Sequence, residues 1–197
     1  MKIAVFANDE QWKELTEGIT SADVVRVDSL QDTADAYIIL EDTDTNSLPG
    51  LQKPVLLNLV NSTLKEIDTG SGIIRINGWA GFLQRKTWEV AGRVSEEMKT
   101  IFTTLQKQYI EVKDEPGLVA ARTISMIVNE AYFALGEGVS TKQEIDIAMK
   151  LGTNYPFGPF EWCNKIGIKN IYGLLCILNK TDKRYLPAPL LEKEATV

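Results

Sequence analysis

Histidine is absent from all 197 residues. That single absence excludes a Ser-His-Asp triad, a Cys-His pair, a histidine-ligated zinc and a histidine general base. Any chemistry must therefore run on carboxylates, lysines, hydroxyls or a cofactor. Cysteine is nearly absent as well. Cys163 and Cys176 are too few for a disulfide framework or a cysteine-only zinc site, so no metal site is expected. Glycine is missing from the first turn of the chain, the earliest being Gly18. No apolar run approaches the length of a membrane span. The start, Met1-Lys2-Ile3-Ala4-Val5-Phe6, reads as a first strand rather than a signal peptide, because Asp9 and Glu10 follow at once. The cytoplasm is the expected location, with no membrane partner. Basic excess is lacking too: 27 acids against 21 bases give a net charge of −6, which argues against nucleic acid as a partner.

What is present divides unevenly. Residues 1–115 hold 19 acids and 12 bases, a net of −7; residues 116–197 hold 8 acids and 9 bases, a net of +1. With a change of pattern at Asp114-Glu115-Pro116-Gly117, this predicts two domains, 1–115 and 116–197. The first alternates strand and helix signals. Strands are expected at residues 2–6, 22–27, 36–40, 54–60, 73–76 and 86–90, and Asp9 is the expected cap of a helix carrying Trp12, Leu15 and Ile19. Short apolar strands separated by helices favour a parallel sheet covered on both faces. A linking helix is expected over 95–108 and a return to strand at 109–113. The second domain reads as helical throughout. A helix from Leu118 to Leu135 is apolar nearly all round, with Gly136 and Gly138 to stop it. Ser140 with Gln143 suggests a capping box, and Gly152 the end of the helix it starts. Pro159 suits a first helical position. A further helix is expected at 170–179 and a short one after Pro187-Ala188-Pro189. The fold class is thus α/β followed by all-α.

A first strand in such a sheet invites comparison with a dinucleotide fingerprint, whose glycines permit a tight turn and close approach to pyrophosphate. After Phe6 the chain reads Ala7-Asn8-Asp9-Glu10-Gln11-Trp12, with two acids and no glycine. Asp28 stands where a ribose-binding acid stands in such folds, and a plain loop acid is the simpler reading. Cys163 and Cys176 read as small core residues, Trp79 and Phe82 as packing residues, and 180–184 as a solvated loop.

Two segments are more specific. One is Asp114-Glu115-Pro116-Gly117-Leu118-Val119-Ala120-Ala121-Arg122. The other runs Gly138-Val139, then Ile145-Asp146-Ile147-Ala148-Met149-Lys150-Leu151-Gly152-Thr153-Asn154-Tyr155-Pro156-Phe157-Gly158-Pro159-Phe160-Glu161. Together they resemble the helical C-terminal domain of the L-3-hydroxyacyl-CoA dehydrogenase family, with its D-x-P-G-F-[IV]-x-N-R turn and its D-I-D-x-A-M-x-x-G-x-G-x-P-x-G-P-F-E segment. The resemblance covers about Trp88 to Leu191. It implies a shortened Rossmann-like sheet followed by a helical domain of the 6-phosphogluconate-dehydrogenase C-terminal type.

The family mechanism uses a histidine base, a glutamate that orients it, an asparagine on the substrate oxygen, and NAD. Aligning Trp88-Glu89-Val90 with the family's V-E-V strand assigns the glutamate to Glu89 and the histidine position to Asn77. The turn's asparagine position holds Ala121. An amide is not a base, and alanine offers no donor. Glu89 is then a remnant, solvated or paired with Arg75 or Lys86. Asn61 and Ser62 lie in a segment similar to the family's S-N-T-S-S-L loop near nicotinamide, and equally in a plain helix start. The resemblance thus implies a diverged relative without dehydrogenase activity or cofactor, paired as a homodimer through its helical domain and binding an acyl-CoA or a protein. The alternative is an active NAD-dependent dehydrogenase with a remodelled site.

Overall fold

The computed structural model describes residues 1–19, 21, 23–30, 34–41, 48, 53–67 and 72–197. It divides into two compact units, Met1–Leu118 and Val119–Val197.

The first unit is built on strands β1 (Ile3–Phe6), β2 (Val24–Val27), β3 (Ala36–Ile39), β4 (Val55–Asn58), β5 (Ile73–Ile76), β6 (Thr87–Ala91) and β7 (Gln108–Glu111), with helices α1 (Asp9–Thr16), α2 (Leu64–Ile67) and α3 (Glu96–Thr104). The strand order is β2-β1-β3-β4-β5-β6-β7. The first five strands are parallel, as expected, but β6 runs antiparallel to β5 before β7 returns parallel to β6. The all-parallel expectation fails at that one junction. The β5–β6 connection is a compact turn rather than a crossover helix, so the chain reverses.

Period-two alternation sorts the side chains. Ile3, Val5, Ile38, Leu56, Ile74, Ile76 and Val90 face α1 and α3, meeting Leu15, Met98, Ile101 and Phe102. Ala4, Tyr37, Ile39, Val55, Leu57 and Ile73 face the other way, against Leu48 and the α2 residues Leu64 and Ile67. The expected sheet with cover on both faces is therefore found. Ala22, expected in the second strand, lies outside the described residues. The α1 cap is Asn8, not Asp9. Asn8 Oδ1 accepts from Gln11 N at 2.9 Å, and Gln11 Oε1 accepts from Asn8 N at 3.2 Å, a reciprocal box that Asp9, already inside the helix, cannot make.

The second unit holds α4 (Ala120–Gly136), α5 (Lys142–Thr153), α6 (Pro159–Ile166), α7 (Ile168–Asn179) and α8 (Pro189–Ala195), with a 3-10 turn at Lys183–Tyr185 inside the expected loop. α4 packs on α6, α7 and α8, burying Ala121, Ile124, Ser125, Val128, Asn129, Ala131 and Tyr132. The glycine at 136 does not stop α4; it is its last residue, and the chain leaves through Gly138 with φ +71. The α5 capping box is made by Thr141 and Glu144, one residue later than Ser140 and Gln143. Ser140 still donates to Glu144 Oε2 at 2.6 Å. Gly152 does not end α5; Asn154 does, in the left-handed conformation (φ 56), which asparagine tolerates well. Pro159 begins α6 as expected. No helix among the described residues is long and apolar enough to cross a membrane.

Candidate functional site

In an open α/β sheet the ligand crevice lies beyond the carboxyl ends of the strands, where the strand order switches. Here that point falls between β1 and β3, since β2 and β3 lie on opposite sides of β1. The residues that emerge there are Ala7 and Asn8 after β1, Leu40 after β3, Asn58 at the end of β4 and Asn77 after β5.

Asn77 is 7% exposed. Its Oδ1 accepts from Trp79 N at 3.2 Å, which fixes the amide orientation. Its Nδ2 is buried and meets no hydrogen-bond acceptor among the described residues. The antiparallel register pairs Arg75 with Ala91 and Ile76 with Val90. The pairing ends there, and the two positions assigned to the family's histidine and glutamate, Asn77 and Glu89, each lie one residue beyond the Ile76–Val90 pair. Glu89 is half-buried and lies near enough to Arg85 to favour that guanidinium's charge. Burial is the larger influence on Arg85, and it pulls the pKa below the ordinary value.

Arg75 does not pair with Glu89. Its side chain is fully buried and bonds Asp114, with Nε donating to Leu59 O at 2.8 Å and the other nitrogens reaching Val60 O and Glu115 O. Alternation explains the difference. Arg75 points to the opposite face from Ile74 and Ile76, where Asp114 also bonds Leu64 N at 3.0 Å. Burial lowers the Arg75 pKa, and the Asp114 carboxylate works against that. This clamp is the structural use of the aspartate in the Asp114-Glu115-Pro116-Gly117 turn. Composition gave no sign of it beyond an arginine on an otherwise apolar strand.

The other candidates are scattered. Asp28 is exposed just past β2. Asn61 and Ser62 are half-buried, directly before α2. Thr63 and Glu66 bond reciprocally there, Glu66 Oε2 accepting from Thr63 N at 2.7 Å, so this segment is a helix start. Ala121 belongs to the second unit, fully buried on α4. Trp79 and Phe82 are buried, with Arg85 lying 4.3 Å from the Phe82 ring centroid. Cys163 is buried beside Tyr132, its Sγ 3.9 Å from the phenol oxygen, and Cys176 is half-buried. Among the described residues no three His, Cys, Asp or Glu side chains gather to hold a metal ion.

A dinucleotide needs open backbone amides at the β1–α1 turn. The turn does not fit one. Gln11 N and Asn8 N are already satisfied by side chains. Asp9 and Glu10 put two carboxylates in the first turn of α1. Arg26 donates to Ala7 O at 2.9 Å and to Asp9 at 2.5 Å, closing the turn from the β2 side.

The second unit carries its own polar hub. Glu194 accepts from Tyr132 OH at 2.8 Å and from Lys142 Nζ at 2.7 and 2.9 Å, and Lys142 lies over the Tyr132 and Phe160 rings. Burial, the largest single influence, pushes the Glu194 pKa up, but Lys142 and Tyr132 together bring it below the ordinary value. Asp146 Oδ1 accepts from Phe160 N at 2.8 Å at the start of α6. Gly158 sits so close to Asp146 that an added Cβ would lie 2.3 Å from Oδ1 and 2.5 Å from Cα.

The chain is thus a Rossmann-like sheet unit followed by an all-helical unit. The same fold is seen in the (S)-3-hydroxybutyryl-CoA dehydrogenase of Ralstonia eutropha, at a TM-score of 0.71 and 21% identity, covering 94% of this chain and 77% of that one. Residues 117–196 match the family described as 3-hydroxyacyl-CoA dehydrogenase, C-terminal domain. Residues 117–196 thus carry the C-terminal domain of the 3-hydroxyacyl-CoA dehydrogenase family. The chain is similar to the 3-hydroxyadipyl-CoA dehydrogenase of Escherichia coli K12, 43% identical over 91 residues, which are 45% of this chain and 19% of the relative. The 3-hydroxybutyryl-CoA dehydrogenase of Bradyrhizobium diazoefficiens is 36% identical over 100 residues, 50% of this chain and 34% of the relative. The matches thus span well under two thirds of the length of these relatives.

Proposed function

We propose that the chain is a diverged, non-catalytic member of this family that acts as a dimeric binding or interaction protein and uses no NAD. The observation that carries the reading is the Asn77–Glu89 pair. Glu89 and Asn77 both adjoin the Ile76–Val90 pair, but the residue at the position that the resemblance gives to the histidine is an amide. It cannot take a proton at neutral pH, and loss of a general base costs about 10²–10⁴ in rate. Ala121 adds the loss of a substrate contact, and the β1–α1 turn the loss of a pyrophosphate cradle. The second reading, an active NAD-dependent 3-hydroxyacyl-CoA dehydrogenase, draws its support from Glu89, the acid that the resemblance assigns to the family's glutamate. Oxidation of NADH with acetoacetyl-CoA, followed by absorbance, separates the two. No turnover is expected, and none should return in Asn77→His with Ala121→Asn. Turnover of about one per second, within the ordinary enzyme range, would sink the non-catalytic reading.

The homodimer rests on exposed apolar side chains of the helical unit. Ile147 and Leu151 lie one turn apart on α5 and are 53% and 83% exposed; Tyr155 follows at 38%. A two-fold contact between copies is the simplest cover for such a stripe. Light scattering after size exclusion should give about twice 22.0 kDa, and Leu151→Asp should shift it toward the monomer. A wild-type monomer at micromolar concentration would rule the pairing out.

A further inference from the structure

We propose that Asn77–Gly78 is a self-modification site, an Asn–Gly step poised to close to a succinimide, which the side chain of Asn58 holds unreactive while the sheet unit is folded. The proposal is independent of whether the chain is catalytic, and it uses only contacts within that unit.

Asn77–Gly78 is the single Asn–Gly step among all 197 residues. In such a step the glycine backbone nitrogen loses its proton to solvent base and attacks Cγ of the asparagine. The bond from Cγ to Nδ2 breaks, ammonia leaves, and a five-membered succinimide remains. Water then opens the ring at either carbonyl, giving aspartate or isoaspartate, with no oxidant or reductant involved. Glycine favours the attack because it has no Cβ in the way and its backbone turns freely. Packing leaves no alternative to glycine here. A Cβ added at residue 78 would lie 2.7 Å from Asn58 Cγ and 2.8 Å from Asn58 Cβ.

The fold assembles part of this reaction and blocks the rest. Asn77 Oδ1 accepts from Trp79 N at 3.2 Å, an Asx turn that curls the side chain back along its own backbone. The same N–H is placed to stabilise charge that builds on Oδ1 during attack. Nδ2, the leaving nitrogen, is buried and meets no acceptor among the described residues. The nucleophile is what is withheld. Gly78 N donates to Asn58 Oδ1 at 2.9 Å, and Asn58 is itself anchored by Nδ2, which donates to Leu40 O at 2.8 Å. A proton held in that bond is kept from solvent base, and Asn77, 7% exposed, has little water beside it to open the ring. One side chain thus demands glycine at 78 and keeps its nitrogen out of reaction. Opening of the turn after β5 releases both restraints. The change is then permanent. Isoaspartate adds a methylene to the backbone, and either acid puts a carboxylate where a buried amide stood, which is costlier to bury.

Peptide mass mapping of the full chain, with isoaspartate detected by enzymatic methylation, follows Asn77 during incubation at mildly alkaline pH. In guanidinium chloride, with the chain unfolded, Asn77 should be the first asparagine converted. In the folded wild type its conversion should be slower by at least about tenfold, the weight of one hydrogen bond to a backbone amide. Asn58→Ala, with its fold checked by circular dichroism, should convert about tenfold faster than wild type. Conversion in the folded wild type as fast as in the unfolded chain overturns the proposal, as does an Asn77 that stays intact when unfolded. A folded Asn58→Ala that converts no faster than wild type overturns it too. If that variant does not fold, the wild type below its unfolding transition decides. Conversion of Asn77 should then rise with denaturant in step with hydrogen exchange at the Gly78 amide, and conversion that stays flat while that exchange rises overturns the proposal.

Discussion

The two units have kept different things. The helical unit carries a long recognisable motif, and several of its residues have a packing or capping task. Asp146 receives the start of α6, Gly158 makes room for Asp146, and Glu161 bonds Gly158 N and Lys150. In the sheet unit the polar residues bond to one another or to nearby backbone: Arg75 to Asp114, Gln11 and Asn58 to Leu40, Glu14 to Gly81. These polar groups find their partners within their own unit, as burial requires.

The sharpest way to break this comparison is Arg75→Met. In the sheet unit it removes the fully buried partner of Asp114 and the donor to Leu59 O, while Val60 O and Glu115 O keep their bonds from Gly117 N and Leu118 N. Breaking a buried pair from one side costs about 3–5 kcal/mol. The lower end is expected here, because the Asp114 side chain is 29% exposed and can rehydrate. Urea unfolding followed by tryptophan fluorescence measures it, since Trp12, Trp79 and Trp88 all lie in this unit. A loss below about 1 kcal/mol, the worth of an ordinary surface pair, would show that the clamp is not what holds the 114–117 turn.

Gly158→Ala tests the helical unit with a smaller change. The added methyl meets Asp146 backbone as well as side chain, so relief requires α5 and α6 to part. Overpacking of this kind costs about 1–3 kcal/mol. Far-UV circular dichroism during urea unfolding reports it, because most of the helix lies in this unit. An unchanged midpoint would mean that glycine at 158 is an inheritance without a steric reason.

These two sites also show where sequence reasoning succeeds. Strand positions in the sheet unit were legible because alternation and short apolar runs are local signals; β1, β3, β5 and α6 fall where they were expected. Cap residues slipped by one position at Asn8 and Thr141, because neighbouring polar residues compete for the same role and the winner depends on backbone geometry. The antiparallel turn to β6 was not legible, since strand direction is set by long-range pairing. The roles given to Asn77 and Glu89 come only through the resemblance. The Arg75–Asp114 bond was not legible because Asp114 is distant in sequence, and Gln11 and Glu14 were missed because each looks like an ordinary helix-surface residue until Leu40 and the turn after β5 are seen to meet them.

The smallest effect is a pH dependence that sets the helical unit apart. Burial raises the Asp146 pKa above its ordinary value, and the bonds from Phe160 and Glu161 amides only partly offset this. A carboxyl whose folded pKa is raised binds its proton more tightly in the native state than in the unfolded one. Its contribution is therefore favourable at acid pH and is lost as pH rises from the unfolded value through the folded one. Asp146→Asn removes the titration and, with its Oδ1, retains an acceptor for Phe160 N. The variant should be no less stable than the wild type at pH 7, and relatively less favoured as pH falls below the ordinary aspartate value of about 4. The measurement is the difference in urea midpoint between variant and wild type across pH 3 to 7. A difference that runs the other way, with the variant losing ground as pH rises, would mean that the ionised carboxylate, not its oxygen alone, is what holds the start of α6.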